Sequence, residues 1–174
     1  MLKNLLRLDE KLSYKIYFFT RNVIPPMFIR LLSILNKFYG AFFIFVLILL
    51  ASDYVITNLI IFCISLFVSF IVIEIILKNI FKRSRPFYGD SVKINSYSFP
   101  SSHAFNSVFF VTVTLNILDR LKYFSFNSSL ITIYVFVAVL PGIIRILEGK
   151  HYLLDVIASW ILGLILGFMI TLVF

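Results

Sequence analysis

Ionisable side chains are scarce in this chain of 174 residues. Only 14% of the residues are charged, and histidine occurs twice, at His103 and His151. Hydrophobic residues make up 61% of the chain, which is far more than a soluble domain contains. Because an unpaired charge is costly to bury, the few ionisable groups that border long apolar runs are candidate functional residues.

Cysteine is almost absent. The single cysteine, Cys63, lies inside an apolar run and cannot form an internal disulfide. It has no second soft ligand nearby, so a structural metal site is implausible and a buried packing role is expected. The acidic residues outside the histidine clusters are dispersed as well. We therefore expect neither a bound metal ion nor any other cofactor.

Long uncharged runs are abundant. Three of them, at residues 54–73, 123–144 and 156–174, are long enough to cross a bilayer as helices. Two shorter runs, at 38–52 and 104–118, can be extended by flanking polar residues. All five are apolar on every face, which excludes the alternating pattern of a β-barrel strand. The pattern predicts an all-α integral membrane bundle of five transmembrane helices, in one domain over residues 38–174.

Residues 1–37 have a different pattern. Lysine and arginine interrupt this segment repeatedly, and Pro25-Pro26 would break a helix in its middle. Five leucines fall mostly on one helical face: Leu2, Leu5, Leu6, Leu8 and Leu12. This pattern predicts an amphipathic segment that lies on the membrane surface. A sixth, imperfect span through residues 12–36 stays open as an alternative, although it would carry three cations.

The ionisable residues beside the apolar runs form three clusters. In chain order they are Lys78 with Arg85-Pro86, then Pro100-Ser101-Ser102-His103, and then Arg145 with His151 and Asp155. The first two clusters share one polar connection between spans. Two membrane crossings separate the second cluster from the third. We therefore expect all three clusters to lie on the same side of the membrane.

The third cluster contains the parts of an activated nucleophile. His151 and Asp155 are spaced i, i+4, so on a helix they would share one face. A carboxylate that accepts a hydrogen bond from one imidazole nitrogen leaves the other nitrogen free to attack phosphorus. His103, from another helix, would protonate the leaving oxygen as a general acid. These residues predict phosphoryl transfer through a phosphohistidine.

The remaining polar residues of the clusters suit a phosphate. Lys78, Arg85 and Arg145 would hold its nonbridging oxygens. Ser101 and Ser102 stand where a helix begins, and their N–H groups would form an anion site there. Lys82 and Arg83 are predicted to contact the headgroup of a membrane lipid. Glu74 lies one turn before Lys78 and is predicted to orient that lysine.

The clusters resemble the three-part signature of the type-2 phosphatidic acid phosphatase superfamily in order and internal spacing. The matching residues are Lys78-(six residues)-Arg85-Pro86, Pro100-Ser101-Ser102-His103 and Arg145-(five residues)-His151-(three residues)-Asp155. Two positions depart from the pattern: Ser102 stands where glycine is usual, and Ile144 where serine is usual. The superfamily includes soluble vanadium haloperoxidases, which the hydrophobicity excludes, and membrane lipid phosphatases, which the resemblance implies here.

The resemblance implies a membrane lipid substrate without selecting one. Bacterial members act on undecaprenyl pyrophosphate, lipid A phosphate, phosphatidylglycerophosphate or phosphatidate. The short chain and four surplus cations (Lys82, Arg83, Lys93 and Lys150) favour lipid A 1-phosphate or undecaprenyl pyrophosphate, with the other two lipids as alternatives.

The main alternative from a different functional class is a non-enzymatic transporter that binds an anion. Such a protein would use the same arginines but would not need the spacing of His151 and Asp155. A nucleic-acid partner is not expected, because the cations lie beside spans rather than along a soluble face. The sequence does not indicate an oligomeric state.

Two arguments about orientation disagree. With five spans, the side with the clusters carries all of the 16 lysines and arginines except Arg120 and Lys122. The positive-inside rule would make that side cytoplasmic. Resemblance to bacterial lipid phosphatases instead implies a multi-pass protein of the inner (cytoplasmic) membrane whose active site faces away from the cytoplasm. We follow the resemblance.

Overall fold

The computed structural model describes residues 2–38, 55–88, 96–120 and 128–173, and every regular element in these ranges is helical. In chain order these are α1 (Leu2–Val23), α2 (Pro26–Phe38), α3 (Val55–Phe70), a π-helix (Ile71–Leu77), α4 (Lys78–Phe81), α5 (Ser102–Arg120), α6 (Ser128–Leu147) and α7 (Leu153–Val173). The predicted all-α class is confirmed.

Two of the described helical segments are long and apolar enough to cross a membrane. They are Ile56–Phe81, a continuous run through α3, the π-helix and α4, and Leu153–Leu172 in α7. A shorter apolar helix covers Thr132–Leu147 in α6. Large apolar side chains on the outer faces of these helices are exposed, as on a lipid-facing surface. The predicted run at 104–118 lies in α5, and the one at 38–52 falls outside the described residues except for residue 38, where α2 ends.

The packing of α7 along α5 brings the start of each helix to the same end of the bundle. Gly163 and Gly167 permit the close approach: a Cβ added at Gly163 would lie 2.8 Å from the carbonyl oxygen of Phe105, and one at Gly167 would lie 2.8 Å from Cβ of Thr112. Glycines four residues apart commonly allow such approach between membrane helices. The two helices therefore run parallel, and residues at their N-terminal ends can form one site.

The break predicted at Pro25-Pro26 is confirmed, because α1 ends at Val23 and α2 begins at Pro26. The first helix packs against α6 and α7 through a buried polar face that carries Asp9, Ser13 and Thr20. Three of the predicted leucines, Leu5, Leu8 and Leu12, are exposed on another face. The location of residues 1–37 on a membrane surface stays a prediction.

Candidate active site

Hydrogen bonds connect all three sequence clusters at one end of the bundle. Nη1 of Arg85, from the first cluster, lies 3.1 Å from Nε2 of His151, from the third. The hydroxyl of Ser102, from the second cluster, donates to the carboxylate of Glu74 beside Lys78. The structure therefore brings the three clusters together, which their expected location on one side of the membrane requires.

The turn between α6 and α7 sets the path of the chain from Arg145 to His151. Gly149 has φ +68°, in the left-handed region that glycine adopts at little cost. Its N–H donates to the carbonyl of Ile146, and the N–H of Lys150 donates to the carbonyl of Arg145. These two bonds form a Schellman motif, which ends α6 and reverses the chain just before the histidine.

The imidazole of His151 is buried and contacted at both ring nitrogens. Nδ1 lies 2.7 Å from the carbonyl oxygen of Ser98. Because a carbonyl can only accept, Nδ1 carries the proton and Nε2 carries the lone pair. Burial, and after it the positive charge of Arg85, lowers the pKa of His151, although Asp155 opposes this change. The neutral ring therefore presents Nε2 as its nucleophilic atom.

Asp155 does not make the hydrogen bond predicted from its spacing to His151. Its Oδ2 lies 3.8 Å from Nδ1 of the histidine and instead accepts the N–H of Tyr152 at 3.0 Å. Its Oδ1 accepts Nη1 of Arg83 at 2.7 Å. Asp155 stands in the first turn of α7, where a carboxylate readily bonds the free N–H groups of a helix terminus. It can therefore act on His151 through charge, while Ser98 fixes the tautomer.

Arg83 is placed differently from the sequence prediction, which assigned it to the lipid headgroup. Its Nη1 bonds Asp155, and its Nη2 bonds Oδ2 of Asp9 at 2.7 Å. The side chain is 14% exposed, and its guanidinium lies 4.0 Å from the ring centre of Tyr152. Two buried carboxylates thus hold both of its terminal nitrogens, and the structure places Arg83 in a network of ion pairs; a contact with the headgroup stays a prediction. Lys82, by contrast, is exposed.

Lys78 is held by the π-helix that precedes it. Its Nζ lies 2.8 Å from each carboxylate oxygen of Glu74, and Ser102 bonds the same carboxylate from α5. The predicted pairing of Glu74 with Lys78 is confirmed. Single π-turns inside α-helices are frequent at functional sites, and this one connects a buried lysine to the start of α5.

Arg145 is paired in the same way with Glu148, a residue to which the sequence assigned no role. Nη1 of Arg145 and Nζ of Lys150 each lie 2.8 Å from one oxygen of that carboxylate. Burial alone would raise the pKa of Glu148, but hydrogen bonds from Lys150 and Ser33 and the charge of Arg145 lower it. Within the described part of the chain, the buried Nε of Arg145 has no hydrogen-bond partner. One donor of this guanidinium is therefore left for an anion.

The second cluster also differs in detail from the prediction. The backbone N–H of Ser101, expected to bind phosphate, donates to Oγ of Ser159 on α7 at 2.8 Å. That amide is therefore engaged in helix packing. The hydroxyl of Ser101 is buried and has no partner among the described residues. For Ser101, the side-chain hydroxyl rather than the amide is the group left for a phosphate oxygen.

His103 is exposed at the start of α5, just before the apolar run at 104–118. Neighbouring groups displace water from part of its ring, and Arg145 and His151 disfavour a further positive charge, so the pKa of His103 is lowered. A phosphate in the pocket would oppose this effect, because negative charge beside an imidazole favours its protonated form. His103 would thus gain its proton most readily when an anion is bound.

A model of the PAP2 superfamily matches residues 44–174, which include all three clusters. The chain belongs to the PAP2 superfamily. It is 32% identical over 97 residues to phosphatidylglycerophosphatase B of Bacillus subtilis (strain 168), across 55% of this chain and 48% of that protein. It is 31% identical over 189 residues to the probable lipid phosphate phosphatase beta of Arabidopsis thaliana, across 92% of this chain and 86% of that protein.

A solved PAP2 structure has the same fold. It is the crystal structure of the first transmembrane PAP2-type phosphatidylglycerolphosphate phosphatase from Bacillus subtilis, with a TM-score of 0.73 and 22% identity. The likeness covers 96% of this PAP2 chain and 84% of that one. The sequence match to phosphatidylglycerophosphatase B, by comparison, spans about half of that relative's length. The fold is thus that of a transmembrane PAP2 helical bundle.

Proposed function

We propose that this PAP2 protein is a membrane lipid phosphatase that forms a phosphohistidine on His151. The observation that carries the proposal is the hydrogen bond from Nδ1 of His151 to the Ser98 carbonyl, because it leaves the lone pair on Nε2. That nitrogen faces Arg85. A transporter that binds an anion would need the arginine but not a histidine fixed in one tautomer.

The reaction begins when a phosphate group enters among Lys78, Arg85 and Arg145. The contact of Arg85 with Nε2 of His151 must then break, and a phosphate oxygen is the acceptor that replaces this nitrogen. Nε2 attacks phosphorus while the bond to the lipid oxygen breaks, and His103 donates a proton to that oxygen. The three cations stabilise the charge on the nonbridging oxygens.

The second half of the reaction regenerates the enzyme. His103, now neutral, accepts a proton from water, and the water oxygen attacks the phosphohistidine. The bond between phosphorus and Nε2 breaks, and inorganic phosphate leaves. Asp155, 3.8 Å from Nδ1, stabilises the positive charge that the ring carries as a phosphohistidine. No step needs a metal ion, so we propose a metal-independent hydrolase.

The proposed substrate is phosphatidylglycerophosphate. The sequence-based preference for lipid A 1-phosphate or undecaprenyl pyrophosphate depended on surplus cations that would bind a second phosphate. Arg83 is bonded to two carboxylates, and Lys150 is bonded to Glu148, which weakens that preference. The name of the B. subtilis relative, phosphatidylglycerophosphatase B, also supports a terminal phosphomonoester.

The test measures phosphate release by the purified, reconstituted protein from phosphatidylglycerophosphate, phosphatidate, lipid A and undecaprenyl pyrophosphate under one set of conditions. We expect phosphatidylglycerophosphate to be fastest and water-soluble sugar phosphates to be far slower. His151→Asn should abolish turnover, since an amide can still donate to the Ser98 carbonyl but offers no nucleophilic nitrogen. Asp119→Asn, at an exposed position far along α5, is the control.

Three outcomes would contradict the proposal at different levels. Substantial turnover by His151→Asn would exclude the phosphohistidine. Equal rates on soluble esters would exclude a lipid phosphatase. A preference for lipid A or undecaprenyl pyrophosphate would exclude phosphatidylglycerophosphate as the main substrate and would support the ranking of substrates that the sequence indicated.

A further inference from the structure

A line of alternating charges connects α1 to the proposed nucleophile. Oδ2 of Asp9 and Oδ1 of Asp155 each lie 2.7 Å from one terminal nitrogen of Arg83, and Oδ2 of Asp155 lies 3.8 Å from Nδ1 of His151. The side chains of the two carboxylates are 1% and 0% exposed. Burying three charges is expensive even when they are paired. Such an arrangement calls for a role beyond packing.

The same helix also fixes the start of α7. Oδ1 of Asp9 accepts the N–H of Leu154 at 3.0 Å, and Oγ of Ser13 accepts the N–H of Leu153 at 2.9 Å. The first N–H groups of a helix have no partner within it and are usually capped by a residue just before it. Here a helix that is distant in sequence supplies both acceptors. Asp9 thus contacts both Arg83 and the turn that carries Asp155.

The charges explain why Asp9 matters for His151. Arg83 alone would cancel the charge of Asp155, and the pair would then do little for a positive imidazole. With Asp9 present, the group of three carries a net charge of −1 and retains its attraction for positive charge on His151. Asp9 therefore restores the negative charge that Arg83 offsets.

We propose that Asp9 is a positioning residue of the active site, which acts through Arg83 and Asp155 on the charge state of His151. The proposal rests on the function proposed above for His151, and it makes α1 part of the catalytic apparatus. The superfamily match begins at residue 44, so it does not include Asp9.

The test compares three single variants of the full-length protein. Asp9→Asn removes the charge at the carboxylate that contacts Arg83. Glu10→Gln makes the same charge change at the adjacent, exposed position. Ser13→Ala removes a cap of α7 without any change of charge. A double variant, Asp9→Asn with Arg83→Gln, returns the net charge around Asp155 to −1.

The main readout is the pKa of His151, measured by NMR on protein with isotope-labelled histidine. The chain has two histidines, so a His103→Gln variant assigns the signals. The charged or titratable groups that act on His151 are Arg85, Asp155 and His103, with Arg83 and Asp9 behind them. Asp9→Asn removes negative charge, so it should lower the pKa of His151 by roughly one unit, a tenfold change in the protonation equilibrium.

Kinetics supply the second readout. Asp9→Asn should lower kcat on the order of tenfold and should change KM little. Losses of this size are typical when a residue that orients a metal-binding side chain is removed in a metalloenzyme, and Asp9 holds a comparable position behind Asp155. The acid limb of kcat/KM should move to lower pH, because His151 must be neutral to attack. In the double variant, both the pKa and this limb should return toward the wild-type values.

A purely structural role predicts a different pattern. Asp9→Asn and Ser13→Ala would then lower thermal stability alike, and neither would move the pKa of His151. That result, or an equal pKa shift in Glu10→Gln, would overturn the proposal. The NMR measurement does not depend on turnover. If the wild-type protein hydrolyses no lipid phosphate, the proposed function fails while the link between Asp9 and His151 is still decided.

Discussion

The substitution Asp155→Asn tests the electrostatic role of this residue. An asparagine has the same shape and can still accept the N–H of Tyr152 through its amide oxygen, but its amide nitrogen can only donate, so the bond from Nη1 of Arg83 is lost. It removes one unit of negative charge at 3.8 Å from Nδ1 of His151. The bond between His151 and the Ser98 carbonyl does not involve Asp155, so the tautomer should be unchanged.

The expected loss follows from that distance. Two unit charges about 4 Å apart interact by about 4 kcal/mol at an effective dielectric constant of about 20. Arg83, bonded to the other oxygen of Asp155, offsets part of this attraction. A net loss of about 3 kcal/mol in the stabilisation of the positive ring corresponds to a decrease in kcat of about a hundredfold. KM should change little, because the charge builds on the ring only as the phosphohistidine forms.

The assay is steady-state phosphate release from reconstituted protein, together with the amount of trapped phosphoenzyme. Asp119→Asn provides the control for a carboxylate-to-amide change elsewhere on the protein. A kcat within about twofold of the wild type would refute the reasoning, since a difference this small corresponds to less than 0.5 kcal/mol. A large rise in KM at constant kcat would show instead that Asp155 acts on substrate binding.

Three further predictions test the turn, the chemistry and the orientation. Gly149→Ala should destabilise the protein by about 1–2 kcal/mol because of its left-handed conformation, and more because a Cβ there would lie 3.0 Å from the ring of Tyr17; an unchanged Tm in detergent would contradict this. Activity should survive EDTA, and orthovanadate, which mimics five-coordinate phosphorus, should inhibit it; loss in EDTA that magnesium restores would reveal a metal requirement. In a Cys63→Ser background, an impermeant thiol reagent applied to intact cells should label Ser91→Cys but not Ser125→Cys; the reverse pattern would place the active site in the cytoplasm, as the positive-inside rule indicates.

The sequence predicted the helical class and the assembly of the three clusters because the relevant spacings are short. Arg145 lies in the last turn of α6, His151 in the connection that follows and Asp155 in the first turn of α7. Lys78 and Arg85 flank the end of α4. Hydropathy placed the helices that carry them. Because two membrane crossings separate the second cluster from the third, the sequence also predicted that the clusters lie on one side of the membrane. Short-range patterns of this kind can be read directly from a sequence.

The contacts that the sequence did not predict involve either the backbone or distant residues. The acceptor for Nδ1 of His151 is a main-chain carbonyl, which no residue type marks. Arg83 is hydrogen-bonded to Asp155, which is 72 residues away in the sequence, and to Asp9, which is 74 residues away. The spacing of Gly163 and Gly167 did offer a signal for the packing of α7 on α5, because small residues four apart favour close helix contacts in membranes.

The two glutamates that pair with Lys78 and Arg145, the cations predicted to bind phosphate, bear on which anions can enter the site. Glu74 bonds Lys78, and Glu148 bonds one terminal nitrogen of Arg145, so each cation is partly neutralised before a phosphate enters. A phosphodiester of an ordinary bilayer lipid carries one negative charge, the same as the carboxylate already paired with each cation. A terminal phosphomonoester carries close to two charges at neutral pH and offers three acceptor oxygens. We therefore expect these partly neutralised cations to favour the monoester over the diesters that surround the protein in a membrane, in agreement with the terminal phosphate of the proposed substrate.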